Sequence, residues 1–151
     1  MSAAPPPILL CSDGSVAAEA AIQVCGALMG GRAALVLCVW LPAASMTALD
    51  PVGDAVGRLS GIYSQLDAEA GASADRHARA GAAVARRAGF DAEPMTARGT
   101  AWSEIVRVAA EVDAAAVVLG AHGVGGLVSA FPGTVATRVL HHCRRPTMVI
   151  P

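Results

Sequence analysis

Short apolar runs alternate along the chain with longer segments that have helical character. The apolar runs are Ile8–Cys11, Ala33–Trp40, residues 114–119 and Thr147–Ile150, and residues 92–97 are a short extended segment that predicts a further strand. Apolar runs of this length, bounded by turn residues, are typical of parallel strands that are covered on both faces. The alternation predicts an α/β fold with a five-stranded, parallel, doubly wound, Rossmann-like sheet.

The segments between the runs have helix signals. Ser15 is a predicted N-cap, and the helix that it opens ends at Gly30. Its apolar residues at helical spacing are Val16, Ala20, Ala21, Val24 and Leu28. One long helix, or two in series, is predicted over residues 55–88, and the last helix is predicted over residues 133–143. A further helix is predicted over residues 102–111, with an inner face made by Ile105, Val106, Val108 and Ala109.

Residues 41–54 form a predicted loop with Pro42, Pro51 and Gly53. Loops of this length are uncommon in compact domains unless they have a function. Two interpretations of this loop stay open: it is a lid over a site, or it is a mobile loop that extends from the surface.

The length of 151 residues predicts one domain at residues 8–151, preceded by a flexible segment at residues 1–7. Eleven basic and twelve acidic residues nearly cancel, so neither nucleic acid nor an anionic membrane is an expected partner. The proline-rich start lacks the pattern of a signal peptide, and no apolar run approaches the roughly 20 residues of a membrane span. We therefore expect a cytoplasmic location.

The four cysteines have no C-x-x-C spacing, and buried free thiols are the favoured interpretation over a disulfide or a metal site. The adjacent His141 and His142 point about 100° apart on a helix and do not share an ion easily. We expect them to be favourable charges at a helix C-terminus, and no metal site is predicted.

A glycine-rich stretch over residues 120–133 is the candidate site for an anion. Every basic residue is an arginine, so the lysine-containing P-loop motif is excluded. Glycines allow successive backbone N–H groups to converge on phosphate oxygens, and the helix that begins near Gly133 adds its N-terminal N–H groups and dipole. The dinucleotide fingerprint G-x-G-x-x-G fails, because Val128 stands at its third glycine.

The spacing Gly120-x2-Gly123-x9-Gly133-Thr134 resembles the G-x2-G-x9-G-[S/T] signature of ATP-binding universal stress proteins. The resemblance extends to the strand that ends in Asp13-Gly14-Ser15, to the Leu-Val-Leu-Cys-Val run and to the Pro-Thr-Met-Val-Ile ending. It implies the adenine nucleotide alpha hydrolase-like fold. The sequence departs from the family pattern at Cys38, Pro132 and Ala136.

The resemblance implies a site for ATP, with or without Mg²⁺. The nucleotide-binding residues that it implies are Asp13, Val39, Gly120, His122, Gly123, Gly133, Thr134 and Val135. The first two would border the ribose and base, the next three would face ribose and phosphates, and the last three would bind the β and γ phosphates. Some have plain structural alternatives: Asp13 as a turn residue, His122 as a loop residue and Thr134 as an N-cap.

The function that the resemblance implies is a nucleotide-dependent regulator in the stress response, dimeric through its C-terminal strand. A dimeric interaction protein that binds no nucleotide, and a slow ATPase, are the alternatives. The residues themselves show no arrangement of Ser, His and acid for catalysis. Neither the preferred nucleotide nor the downstream partner follows from the sequence.

Overall fold

The computed structural model describes residues 5–46, 56–123 and 133–151, and the strands within them form one sheet. The strands are β1 (Ile8–Cys11), β2 (Ala33–Trp40), β3 (Asp91–Arg98), β4 (Ala116–Gly120) and β5 (Thr147–Ile150). All neighbouring strands are parallel, and the sheet has five strands in the order β3-β2-β1-β4-β5. The predicted doubly wound, five-stranded parallel sheet is confirmed.

Helices cover both faces of this sheet. They are α1 (Val16–Met29), α2 (Val56–Arg87), α3 (Ala101–Glu111) and α4 (Thr134–His142). Helices α1 and α2 pack on one face and helices α3 and α4 on the other. The segment predicted as one helix or two in series is the single helix α2, which is 32 residues long.

Side chains of β2 alternate between these two faces. Val36 belongs to the core beneath α1 and α2, whereas Leu37 belongs to the core beneath α3 and α4. Both residues are almost completely buried. A strand that is covered on both faces therefore reads as an uninterrupted apolar run, which is the pattern that identified it.

Small residues allow helices to approach each other and the sheet closely. A Cβ on Gly26 of α1 would collide with the backbone oxygen of Ala88, and a Cβ on Gly81 of α2 would lie 2.8 Å from Cγ1 of Val36. The buried residues of α1 are accordingly Ala18, Ala21, Ile22, Cys25 and Gly26. Most apolar residues that we placed at helical spacing are exposed instead: Val16, Ala20, Val24 and Leu28.

Most predicted boundaries differ from the observed ones by a single residue, and the largest shift, at the start of β4, has a local reason. Strand β4 begins at Ala116 rather than at 114, because the N–H of Ala114 still donates to the carbonyl of Ala109 in α3. Asp113 ends that helix in the left-handed region, with a φ of 53°. In the predicted loop 41–54, the described part contains a 3₁₀ turn, Ala43–Met46. The rest of this loop lies outside the described residues, so the lid stays a prediction.

The four thiols are free, as predicted, but they are not all buried. Cys25 and Cys38 are buried, whereas Cys11 and Cys143 are half-buried. His141 and His142 are exposed at the end of α4, where the His142 ring packs 4.9 Å from the ring of Trp102. In the described part of the chain, no helix combines the length and apolarity that a bilayer span requires.

Candidate functional site

A cavity of about 450 Å³ opens at the carboxyl ends of β1 and β4. The chain leaves β1 for α1 on one face of the sheet and leaves β4 toward α4 on the other. Such a reversal of direction opens the crevice in which doubly wound folds bind ligands. Every residue predicted for the site lines this cavity: Asp13, Val39, Gly120, His122, Gly123, Gly133, Thr134 and Val135.

The turn between β1 and α1 forms one wall. Asp13 accepts the backbone N–H of Ser15 through Oδ1 at 3.0 Å, and the Ser15 hydroxyl caps α1 by accepting the N–H of Ala18 at 3.2 Å. Asp13 therefore has the turn function that was the plain alternative for it. Gly14 has a φ of +78°, and a Cβ there would lie 2.6 Å from the His77 ring on α2. The positive φ favours glycine at this position, and any other side chain would also require the His77 ring to move.

Backbone hydrogen bonds fix the two ends of the glycine-rich stretch. The N–H of Ala121 donates to the carbonyl of Ile150 in β5, and the N–H of Gly133 donates to the carbonyl of Ala121, each at 2.7 Å. The beginning of α4 is thereby held beside the end of β4. Residues 124–132, which include Val128 and Pro132, lie outside the described residues.

Two glycines of this stretch lie against the opposite wall. A Cβ on Gly123 would lie 2.8 Å from Oδ2 of Asp13, and a Cβ on Gly120 would lie 3.4 Å from the backbone of Ala17 in α1. The backbone of the stretch thus contacts the β1–α1 turn without intervening side chains. This contact gives a physical reason for glycine at both positions of the motif.

The N-terminus of α4 faces the cavity. Gly133 is the N-cap and makes no side-chain capping bond, so the interpretation of Thr134 as the N-cap is wrong. Thr134 is instead the first residue of the helix, and Thr134, Val135 and Ala136 all line the cavity. The first N–H groups of an α-helix have no partner within the helix and carry its positive dipole end. The predicted hydroxyl and N–H donors therefore lie together at the cavity wall.

An apolar wall completes the cavity, and most of its residues were not predicted for the site. Its members are Cys11, Leu37, Val39, Ile105 and Leu119, which belong to or pack against the core beneath α3 and α4. Of these, only Val39 was predicted. Period two in β2 places Leu37 on the same face as Val39, so this signal was present in the sequence.

Other unpredicted lining residues come from backbone turns and helix starts: Ser12, Ala18, Ala101, Ala121 and Ala136. Ser12 is buried, and its hydroxyl accepts the N–H of Gly14 at 3.3 Å. Small side chains at these positions leave the cavity open. Nothing in their local sequence pattern distinguishes them from other alanines and serines of the chain.

Burial keeps the nearby thiols protonated at neutral pH. Burial raises the pKa of the Cys11 thiol far above its ordinary value, with a smaller contribution from Cys143. Burial also raises the pKa of Cys38 to about 11, and the carboxylate of Asp13 contributes to this rise. The Cys11 thiol therefore adds no charge to the cavity wall.

The wall thus combines an apolar surface with neutral backbone donors. Among the described residues, neither arginine nor lysine lines the cavity. A volume of about 450 Å³ lies within the range of small-molecule sites, roughly 300–1,000 Å³. The arrangement suits a ligand with one flat apolar part and one anionic part that neutral N–H groups bind.

Solved structures share this fold. Universal stress protein UspA from Lactobacillus plantarum has a TM-score of 0.76 and 21% identity, over 99% of this chain and 100% of that chain. The universal stress protein from Archaeoglobus fulgidus in complex with dAMP has a TM-score of 0.60 and 22% identity, over 96% and 97%. A universal stress protein family protein from Arabidopsis thaliana with AMP bound has a TM-score of 0.63 and 14% identity, over 97% and 91%.

These identities are low, so the structural likeness shows the fold alone. No curated protein sequence gives a significant match to the chain. The model of the universal stress protein family, however, matches residues 6–151. This match covers almost the entire sequence, and the chain therefore belongs to the universal stress protein family.

Proposed function

We propose that the chain binds an adenine nucleotide in the cavity between β1 and β4 and acts as a nucleotide-dependent regulator in the stress response. The observation that carries the proposal is the meeting of an apolar wall with the N-terminus of α4 in one cavity. The base would pack on Leu37, Val39 and Ile105, and the phosphates would accept the N–H groups of Thr134 and Val135. The N–H of Gly133 already donates to Ala121, so Gly133 would instead border the phosphates. Relatives of the same fold contain dAMP and AMP, which supports this ligand class.

Specific roles follow for the remaining predicted residues. Asp13 would bind the ribose, because its Oδ2 lies at the contact between the β1–α1 turn and Gly123. Gly120 and Gly123 would let the backbone approach ribose and phosphate, and His122 would face a phosphate. We propose ATP, with or without Mg²⁺, as the physiological ligand.

Calorimetry on protein freed of bound nucleotide tests the proposal. ATP, AMP and cAMP should each release or absorb heat with one site per chain, whereas GTP should bind more weakly because the proposed ligand class has adenine as its base. Thr134→Val keeps the shape of the side chain and removes its hydroxyl. The loss of one hydrogen bond to a charged group should weaken ATP binding by about tenfold or more.

Matched controls separate a lost phosphate contact from a damaged fold. Thr96→Val makes the same change at an exposed position of β3 and should leave ATP affinity unchanged. Adenosine has no phosphate, so its affinity should be the same for wild type and Thr134→Val. Absence of heat with every nucleotide would overturn the proposal and favour an interaction protein that binds no nucleotide.

We further propose that the regulator is a homodimer through β5. Within the sheet β5 pairs only with β4, so its other edge has N–H and C=O groups that a second copy could pair. Its residues are half-buried, which is consistent with an apolar edge that a partner would cover. Sedimentation at micromolar concentration should give a dimer, and a monomer would contradict this part of the proposal.

A further inference from the structure

The glycine-rich stretch and the first turn of α4 have one ionisable side chain. Residues 120–137 contain no Lys, Arg, Asp or Glu, and His122 is their only titratable residue. His122 follows β4, is half-buried and lines the cavity. Histidine is also the side chain that ordinarily changes its charge between about pH 5 and 8.

No arginine lines the described cavity wall, and seven of the eleven arginines contact groups elsewhere. Arg98 pairs with Asp67, Arg138 lies over the ring of Trp102, and Arg145 pairs with Asp113. Arg32, Arg79, Arg86 and Arg107 likewise contact groups outside the cavity. A phosphate in the cavity would therefore meet neutral donors and one group that can become a cation.

The other titratable groups near the cavity do not provide a cation. The half-buried Cys11 thiol and Asp13 line it on the β1 side. In the first turns of the surrounding helices, the acidic groups are Glu19 in α1 and Glu104 in α3. Glu104, and Glu111 at the far end of α3, are paired with Arg107. His77 of α2 is exposed, lies against Gly14 and is not part of the cavity wall.

We propose that His122 couples nucleotide binding at this site to proton binding, so that a phosphate group binds more tightly when the imidazole is protonated. The inference rests on the proposed function. A positive charge close to a phosphate in a partly buried site attracts it strongly, whereas the neutral imidazole offers only a hydrogen bond. The affinity of the site for nucleotide would thereby respond to the acidification of its surroundings.

A suitable probe must keep its own charge constant. Phosphate monoesters such as AMP change charge near pH 6 and would confuse the result. We therefore choose cAMP, whose phosphodiester has one negative charge throughout the range. Its affinity for the wild-type protein, measured by calorimetry at constant ionic strength, should rise about tenfold from pH 8.0 to pH 5.5.

Two variants and a phosphate-free ligand identify the responsible group. His122→Gln should bind cAMP with an affinity that does not change between the two pH values. His141→Gln, at the exposed C-terminal end of α4, should keep the full wild-type pH dependence. Adenosine should bind wild type with no pH dependence, because the proton would act through the phosphate.

The imidazole can also be observed directly in the wild-type protein, and this test does not require that any variant folds. Nuclear magnetic resonance titration of His122 should show a higher pKa with cAMP bound than without it. A pH-independent cAMP affinity, an equal pH effect in His122→Gln, or an equal pH effect with adenosine would overturn the inference alone. Failure of wild type to bind any adenine nucleotide would overturn the proposed function, and the inference with it.

Discussion

Two regions at the carboxyl edge of the sheet differ in how their space is filled. Between β1 and β4 the chain leaves a cavity whose walls are backbone and small or apolar side chains. Above β2 and β3, large side chains occupy the corresponding position, because the Arg98 guanidinium lies over the Trp40 ring at 5.5 Å from its centroid and pairs with Asp67 at 3.0 Å.

The difference follows from where glycine lies in each region. At the cavity, Gly120 ends β4 and Gly123 follows it, so backbone approaches the β1–α1 turn and no side chain fills the gap. At the second region, glycine lies on the helix: a Cβ on Gly71 of α2 would lie 3.4 Å from the Trp40 ring. Glycine at the end of a strand therefore leaves space for a site. Glycine in α2 has the opposite effect, because it lets the helix approach Trp40 and the space is filled.

The largest effect is expected from a side chain placed inside the cavity. Gly123→Val would put its Cβ 2.8 Å from Oδ2 of Asp13 and its two methyl groups beside the proposed phosphate position. The carboxylate would have to move, and the backbone would lose its close approach to the ligand. We expect ATP affinity to fall by about a hundredfold or more, since several hydrogen bonds to a charged group are lost together.

A matched glycine separates this effect from a general cost of valine. Gly61→Val makes the same change in α2, at an exposed position where a Cβ meets no atom within 4 Å. It should leave ATP affinity unchanged, because the helix propensity of valine is at least as favourable as that of glycine. If Gly123→Val bound ATP as tightly as Gly61→Val, the backbone of the glycine-rich stretch would not be the phosphate site.

A smaller effect is expected in the filled region, on stability rather than on binding. Asp67 accepts the N–H of the buried Ala43 at 2.7 Å through Oδ1 and pairs with Arg98 through Oδ2. Asp67→Ala leaves this N–H without its acceptor, which should lower the free energy of unfolding by about 1–3 kcal/mol. Denaturant unfolding measures the change, and ATP affinity should stay within about twofold of wild type.

Asp75→Ala is the control for this variant, because it removes another aspartate of α2. Asp75 pairs with Arg79 on the surface, where both side chains are largely exposed. Exposed pairs of this kind contribute little to stability, so the loss should be much smaller than in Asp67→Ala. Equal losses for the two variants would mean that the Asp67 cluster does not hold the segment after β2 in place.

The sequence was sufficient to predict the sheet and the position of the cavity. It was insufficient to predict the apolar wall of the cavity and the buried face of α1. Parallel strands read as continuous apolar runs, and glycine spacing marks the place where backbone groups approach each other, so both signals are local. The apolar wall of Leu37, Ile105 and Leu119 is assembled from separate elements, and only the packing of α3 onto the sheet brings these residues together. Local periodicity does not contain that information.

The helical spacing of apolar residues in α1 did not identify its buried face, for a related reason. Of the residues at helical spacing only Ala21 is buried, and the helix also buries Ala18, Ile22, Cys25 and Gly26, whereas Val24 and Leu28 are exposed. At Gly26 the approach of Ala88, which follows α2, leaves no space for a Cβ. This contact is made by a residue distant in sequence, so the helical spacing of apolar residues within α1 does not reveal it.

The smallest expected effect links the cavity to the opposite face of the sheet. Cys38 packs with Ala74 and Ala78 beneath α2, and the negative charge of Asp13 helps to raise its pKa to about 11. Burial makes the larger contribution and does not change in Asp13→Asn. We therefore expect this variant to lower the pKa of Cys38 by less than about one unit, because only the charge is removed.

The ¹³Cβ chemical shift of Cys38, followed between pH 8 and pH 12 in wild type and Asp13→Asn, measures this change. Asp91→Asn is the control, because it removes a carboxylate at the amino end of β3, and it should leave the Cys38 titration unaltered. An unchanged pKa in Asp13→Asn would show that the sheet and solvent screen the Asp13 charge completely. A lowered pKa would show that the Asp13 carboxylate stays charged beside the cavity and acts across the sheet, which a nucleotide bound next to Asp13 would then be expected to alter.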